Sequence, residues 1–149
     1  IWIWITLLPT LILNSESKDK PLTKRDYIGW SMFVIGFFLE AVADHQKSVF
    51  RANPENADTW INTGLWSISR HPNYFGEILL WFGLYVSASS VYNHNYQYLT
   101  IVSPLFVTYL LTQVSGVPLL EKIGQHRWGQ NAQYQRYVKN TAVLIPFIW

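Results

Sequence analysis

The sequence contains no cysteine and few charged residues, and each shortage excludes a class of protein. Of its 149 residues, 13% are charged, which is about half the share found in soluble proteins. Without cysteine there is no disulfide framework, thiolate metal site or cysteine nucleophile. The four histidines lie far apart, with no His-x₃-His pair, so no metal site is predicted. A net charge of +2 does not indicate a nucleic-acid partner.

What the chain does contain is apolar residues in clusters. Half of its residues are hydrophobic and 17% are aromatic. The last three of four largely apolar runs approach the ~20 residues that cross a bilayer; the runs cover residues 1–13, 27–43, 75–92 and 96–117. We therefore predict an all-α fold, a multi-span transmembrane helical bundle that forms a single membrane domain over residues 1–149. Pro104 and Gly116 are expected to bend the fourth helix.

The first apolar run differs from the others because the sequence begins with it. Ile1 begins the run without an initiator Met, a basic segment or a small-residue cleavage site, which argues against a signal peptide. We interpret residues 1–13 as the stub of a truncated helix, in a processed chain or a fragment.

The segments that connect the helices are expected to alternate between the two faces of a membrane. One face would carry four Lys and Arg residues, and the other would carry seven, in the loop 44–73 and the tail 118–149. Because positive charge favours the cytosolic side, the loop and the tail are both predicted to face the cytosol.

The segment Arg70-His71-Pro72-Asn73-Tyr74-Phe75-Gly76-Glu77 concentrates polar groups directly before an apolar run. Because proline is favoured at the first position of a helix, a helix is predicted to begin near Pro72. Its free N–H groups and Arg70 would form an anion site at the membrane surface. A belt of interfacial residues would need neither Asn73 nor Glu77. An ionisable Glu77 inside an apolar helix favours a functional site.

Two further segments place charge beside apolar runs. One helix face is predicted to carry Glu40, Asp44, Lys47 and Arg51, whose bases would bind phosphates and whose acids would bind hydroxyl or amide groups. In the tail, Lys122 and His126 share a helix face, as do Tyr134 and Tyr137. Snorkelling cations and surface packing are the simpler interpretation of each segment alone. Three such segments on one membrane face can nevertheless close around one anionic cofactor.

Together these residues resemble the steroid 5-alpha-reductase superfamily, and most closely its branch of membrane proteins known as DUF1295. The resemblance rests on residues 43–47, Gly64-Leu65-Trp66, 70–77, Tyr134-x-x-Tyr137 and 144–149. It implies a multi-span enzyme that uses NADPH to reduce a carbon–carbon double bond in a lipophilic, sterol- or enone-like substrate. Members hold the dinucleotide in a cytosol-facing pocket without a Rossmann fold, in agreement with the lack of a Gly-x-Gly-x-x-Gly motif.

Carried over position by position, the resemblance assigns roles to individual residues. The residues expected to bind the cofactor are Asp44, Lys47, Arg51, Arg70, His71, Asn73, Tyr74, Glu77, Lys122 and His126. Tyr74 and Glu77 are the catalytic candidates, since a donor must stabilise or protonate the carbonyl oxygen of an enone. The Glu and Tyr that grip the substrate in the family come from N-terminal helices without a counterpart here. Other membrane subunits are expected to supply them.

Two other functions stay open. Isoprenylcysteine carboxyl methyltransferases share an Arg-His-Pro-x-Tyr-x-Gly motif but bind S-adenosylmethionine. Their C-terminal Glu-Glu pair is absent, because Lys122 follows Glu121, and the pair Lys47 and Arg51 favours NADPH with its extra phosphate. The third interpretation is a non-catalytic membrane subunit that keeps the reductase fold within a larger complex.

Overall fold

The computed structural model describes residues 2–15 and 20–148, and its secondary structure there is helical. The α-helices are α1 (Trp2–Ser15), α2 (Lys24–Ala52), α3 (Pro72–Ala88), α4 (Val102–Tyr109), α5 (Val117–Trp128) and α6 (Ala132–Asn140). Three 3₁₀ turns (Pro54–Asn56, Gly64–Ser67, Asn95–Ile101) and a π turn (Leu110–Val114) lie between them. Within these described ranges the β-structure is limited to an isolated bridge between Ser69 and Ala142. The all-α prediction is confirmed.

The first three predicted runs form helices whose ends are shifted. α1 continues past Leu13 to Ser15. α2 includes the charged residues as far as Arg51, as their spacing predicts. α3 begins at Pro72, in agreement with the preference of proline for the first turn, but ends at Ala88 rather than at Tyr92.

The fourth run differs from its prediction. The sequence predicts one bent helix over residues 96–117, but the chain forms a 3₁₀ turn, the short helix α4 and a π turn. Pro104 lies in the first turn of α4, just after the change from 3₁₀ to α geometry. A further interruption lies at Gly116, where a Cβ atom would lie 2.3 Å from the carbonyl oxygen of Leu111.

Two helical stretches, Lys24–Ala52 and Asn95–Trp128, are long and apolar enough to cross a membrane. Along α2 the exposed large apolar side chains include Tyr27, Ile28, Trp30, Val34, Ile35, Phe37, Phe38 and Val42. Soluble monomers rarely expose so continuous an apolar surface. At 17 residues, α3 is shorter than the ~20 residues that a transmembrane span needs.

The chain separates into two compact units. The first consists of Ile1–Phe37 and Glu77–Leu110, and the second of Phe38–Gly76 and Leu111–Trp149. In the first unit α2 and α3 approach closely at Gly29, where a Cβ atom would lie 2.5 Å from the backbone nitrogen of Ser87. This spacing leaves no room for a side chain at that position.

The second unit contains both the loop and the tail that the sequence predicts on one face. Its buried core consists of Ala43, Ile61 and Trp66, with Phe50 and Leu65 packed against them. The indole N–H of Trp66 donates to the carbonyl oxygen of Ala43 at 3.0 Å. This hydrogen bond attaches the loop to α2 at a position four residues before Lys47.

Candidate functional site

The polar motif leads into α3, and the C-terminal residues 141–144 hold the backbone around Ser69 and Arg70 in place. The backbone N–H of Arg70 donates to the carbonyl oxygen of Ala142 at 2.8 Å. The hydroxyl of Ser69 donates to the carbonyl oxygen of Leu144 at 2.7 Å. Ser69 and Ala142 are 0% and 1% exposed. The backbone directly before the helix is therefore fixed by contacts with the end of the chain.

Glu121 of α5 binds the first two side chains of the motif. Its Oε2 forms an ion pair with Nη1 of Arg70, and its Oε1 lies 2.7 Å from Nε2 of His71. The side chains of Arg70 and His71 are 10% and 5% exposed. Because an unpaired buried charge is strongly unfavourable, Glu121 is what allows Arg70 to be buried here.

Three buried nitrogens at this site have no hydrogen-bond partner in the part of the chain that the structure describes. They are Nε1 of Trp60, Nε of Arg70 and Nδ1 of His71. Leaving a buried polar group unpaired costs about 1–3 kcal/mol, and water or a ligand commonly satisfies such groups. All three residues line the same cavity.

This cavity has a volume of about 240 Å³ and lies within the second unit. Among its described lining residues, four cationic side chains accompany one carboxylate, that of Glu121; the cations are Lys47, Arg51, Arg70 and Arg127. Its largest aromatic side chains are Trp60, Trp66, Trp128, Tyr134 and Tyr137, which we call the aromatic wall. The cavity thus combines positive charge with surfaces on which a planar ring can stack.

Contacts between rings hold the aromatic wall together, and Gly124 leaves the space that Tyr134 occupies. The centroid of the Trp60 ring lies 6.0 Å from that of Trp128 and 5.0 Å from that of Tyr134. A Cβ atom on Gly124 would lie 2.2 Å from the hydroxyl of Tyr134, so a side chain there would displace the tyrosine. The ammonium of Lys47 lies 4.9 Å from the centre of the Trp66 ring, within the range of a cation–π interaction.

The two tyrosines of the wall remain protonated at physiological pH. Burial raises the pKa of Tyr137 while Arg70 opposes this shift. Burial also raises the pKa of Tyr134, with a further contribution from the charge of Glu121. The hydroxyl of Tyr137 donates to the carbonyl oxygen of Trp66 at 2.8 Å. Both groups therefore act as neutral hydrogen-bonding groups.

The structure brings part of the predicted cofactor set together. Lys47, Arg51, Arg70 and His71 line the cavity. The amide of Asn73 donates to Oδ1 of Asp44 at 2.9 Å. The ring of Tyr74 stacks on that of His71, with 5.7 Å between centroids and 7° between planes.

The remaining predicted residues lie elsewhere. Lys122 and His126 are exposed on α5, and the lining of the cavity comes from their neighbours Glu121 and Arg127. Glu77 belongs to the first unit, so the cavity as described in the second unit does not include it. The catalytic roles of Tyr74 and Glu77 stay predictions.

Glu121 and most of the aromatic wall are not among the site residues predicted from the sequence. A signal was present in α5, where Glu121, Gly124 and Trp128 are spaced by three and four residues, the spacing of one helix face. A face that combines an acid, a glycine and a tryptophan is a better candidate for burial than the polar face of Lys122 and His126.

Comparison with curated proteins and with solved structures gave no match. A family model described as a protein of unknown function (DUF1295) matches residues 1–141, which is most of the chain. The resemblance that the motifs indicate is thereby confirmed. The chain belongs to the DUF1295 family of steroid 5-alpha-reductase-like membrane proteins.

Proposed function

We propose that this protein is a membrane reductase that uses NADPH to reduce a carbon–carbon double bond in a lipophilic, sterol- or enone-like substrate. The observation that carries the proposal is the cavity of the second unit, where four cations and an aromatic wall surround one carboxylate. Membership of a steroid 5-alpha-reductase-like family supplies the class of reaction.

The charges of the cavity suit a ligand with several phosphates. Among the described cations that line the cavity, Arg70 forms an ion pair with Glu121. Lys47, Arg51 and Arg127 are left to bind an anionic ligand. Charge-assisted bonds from Lys and Arg to phosphate are among the strongest hydrogen bonds in proteins. We propose that these three residues bind the phosphates of NADPH. Lys47 and Arg51 are the two of them that the sequence predicts as phosphate contacts.

The aromatic wall suits the planar parts of the same cofactor. Stacking on aromatic side chains contributes about 1–3 kcal/mol per base. The cavity volume of about 240 Å³ lies below the ~300–1,000 Å³ of pockets that enclose a drug-sized ligand. It therefore accommodates part of a dinucleotide, and the exposed Arg51 and Arg127 extend the positive surface beyond it. When bound, NADPH would supply a hydride.

A lipid-embedded substrate is consistent with the surface of the protein. α2 and the stretch Asn95–Trp128 are long and apolar enough to span a bilayer, and the exposed side chains of α2 are largely apolar. We propose an integral multi-pass membrane protein whose cavity faces the cytosol, because the loop and the tail carry most of the Lys and Arg residues.

The charges of the cavity favour NADPH over S-adenosylmethionine, the cofactor that methyl transfer would need. S-adenosylmethionine carries a positive sulfonium and no phosphate, so four cations beside one carboxylate are unfavourable for it. A non-catalytic subunit that retains the fold can also retain a nucleotide in this cavity. Binding and turnover therefore have to be measured separately.

The binding test uses the full chain purified in detergent and titrated with NADPH. Each lost phosphate contact removes about 1.5–3 kcal/mol, so Lys47→Ala and Arg51→Ala should each weaken binding roughly 10–100-fold. NADH should bind more weakly than NADPH, because it lacks the 2′-phosphate.

The control is Lys139→Ala, which removes an exposed cation on α6 that does not line the cavity, and whose NADPH affinity should equal that of the wild type. Equal affinities for Lys47→Ala, Arg51→Ala and the wild type would contradict this site. Binding of S-adenosylmethionine in the absence of NADPH binding would favour the methyltransferase.

A further inference from the structure

The imidazole of His71 is held at one nitrogen and has no partner at the other. Its Nε2 lies 2.7 Å from Oε1 of Glu121, whereas Nδ1 is buried and has no hydrogen-bond partner in the described residues. His71 is 4% exposed and lines the cavity. A histidine with a purely structural role would ordinarily be satisfied at both nitrogens.

The contact with Glu121 determines where the proton of the neutral ring lies. An ionised carboxylate only accepts hydrogen bonds, and the other oxygen of Glu121 is paired with the guanidinium of Arg70. Nε2 of His71 must therefore carry the hydrogen. Nδ1 then bears the lone pair of the neutral ring, and it is the ring atom that can accept a second proton.

The orientation of this ring is fixed by its surroundings. The ring of Tyr74 is stacked on it at 7°, and the backbone N–H of His71 donates to Oγ of Ser69 at 3.2 Å. Ser69 is in turn held by Leu144. A 180° flip of the ring about the Cβ–Cγ bond would put Cε1 in the place of Nε2 and would break the hydrogen bond to Glu121.

We propose that His71 is the proton-carrying catalytic residue of this cavity and that Glu121 is its positioning residue. This proposal rests on the proposed reductase function, since reduction of a double bond adds one hydride and one proton. The N–H bond at Nδ1 breaks and its electron pair stays on the ring. The proton forms a new O–H or C–H bond on the substrate, and neutral His71 recovers a proton from water.

Several charged and titratable groups surround His71 in the second unit. Glu121 contacts it directly, and Tyr74 lies against its ring. The other such groups lining the same cavity are Lys47, Arg51, Arg70, Arg127, Tyr134 and Tyr137. Among these groups, the carboxylate of Glu121 accepts the hydrogen of Nε2, so its removal should change the tautomer of His71 most.

The first experiment measures the ring itself and needs no substrate. The full chain is labelled with ¹⁵N-histidine in detergent, and the four histidines are assigned with single Gln variants. In its neutral form His71 should show the hydrogen on Nε2 and the lone pair on Nδ1. Glu121→Gln should populate both neutral tautomers. A neutral His71 with its hydrogen on Nδ1 would overturn the proposal.

The second experiment separates proton transfer from hydrogen bonding. In His71→Gln the amide nitrogen can still reach Glu121, while His71→Asn places an untitratable polar group near the position of Nδ1. NADPH affinity is measured for each variant and turnover is compared at saturating NADPH, because His71 lines the proposed cofactor cavity. Both variants should lower turnover of a cyclic 3-oxo-4-ene or an alkyl enone by ~10²–10⁴-fold. The control is His45→Gln, an exposed position on α2 that should leave turnover unchanged.

The outcomes distinguish the two proposals. Full turnover by His71→Asn would show that Nδ1 only forms a hydrogen bond, and would overturn the role of His71 while the reductase stands. A wild type that does not bind NADPH would overturn the reductase, while a neutral His71 with its hydrogen on Nε2 would still support its arrangement with Glu121.

Discussion

Tryptophan and tyrosine side chains serve two purposes in the second unit, because their rings line the cavity and their polar ends bind backbone carbonyls. Nε1 of Trp66 donates to Ala43, and Nε1 of Trp128 donates to Asp58 at 2.7 Å. The hydroxyl of Tyr137 donates to the carbonyl of Trp66. Such side chains combine a large apolar surface with one directed hydrogen bond. The shape of the cavity and the stability of the unit therefore depend on the same residues.

Tyr137→Phe keeps the ring and removes only the hydroxyl. We expect the free energy of unfolding to fall by about 1 kcal/mol at neutral pH, as measured by denaturant titration in detergent micelles. Because burial raises the pKa of Tyr137, the folded state favours the protonated hydroxyl. Wild-type stability should therefore decline as the pH rises above about 10, the ordinary pKa of tyrosine. The free energy of unfolding of Tyr137→Phe should fall less steeply over the same pH range.

The matched control is Tyr109→Phe in α4, where the side chain is 58% exposed. Its free energy of unfolding should stay within about 0.5 kcal/mol of the wild type. If Tyr137→Phe and the wild type lost stability equally at alkaline pH, the hydroxyl of Tyr137 would not be buried as described.

At the scale of elements, α6 connects the aromatic wall to the start of α3. It begins after Asn131, whose side chain accepts from the backbone N–H groups of Gln133 and Tyr134. It ends directly before residues 141–144, which bind Ser69 and Arg70. The cap of one short helix thereby helps to position the motif.

Ser69→Ala removes the side-chain link between the motif and the C-terminal residues. The part-buried carbonyl of Leu144 and the buried N–H of His71 would each lose a partner. We expect a loss of about 1–3 kcal/mol in the free energy of unfolding. NADPH affinity should also fall, because the backbone of Arg70 would no longer be held from both sides.

Ser67→Ala provides the comparison within the same segment. Ser67 is exposed and its hydroxyl contacts the carbonyl of Gly64, so the change should stay within about 0.5 kcal/mol. Equal effects of the two substitutions, by denaturant titration and NADPH titration, would show that the link to Leu144 does not position the motif.

At the scale of the whole molecule, α2 is the element that relates the protein to a membrane. With 29 residues it is about 43 Å long, more than the ~30 Å of a hydrocarbon core. Its charged end carries Lys47 and Arg51 into the second unit. That unit also contains the tail, so the loop and the tail are expected on one face of the bilayer.

The absence of cysteine makes this topology simple to measure. Asn62→Cys in the loop and Gln133→Cys in the tail are both exposed positions. In sealed vesicles they should react with an impermeant thiol reagent from the same face, the cytosolic one. Leu22→Cys, 56% exposed before the start of α2, should react from the opposite face. Labelling of Asn62→Cys and Gln133→Cys from different faces would contradict the predicted topology.

The sequence by itself determined the helical class, the start of α3 and the family. Apolar runs of helical length leave few other folds, and the fixed φ of Pro72 sets the start of α3. The motif that begins at Arg70 and the basic pair of α2 could be identified because each lies within a few residues of chain. Local spacing is enough for features of that length.

Only the tertiary structure decided which side chains meet. Arg70 and Glu121 are 51 residues apart, and Tyr137 and Trp66 are 71 apart, so no local pattern encodes either pair. On α5, successive residues differ in direction by about 100°, and this rotation places Glu121 in the cavity and leaves Lys122 exposed. Which face of a helix is buried is decided by what packs against it, and that partner comes from elsewhere in the chain.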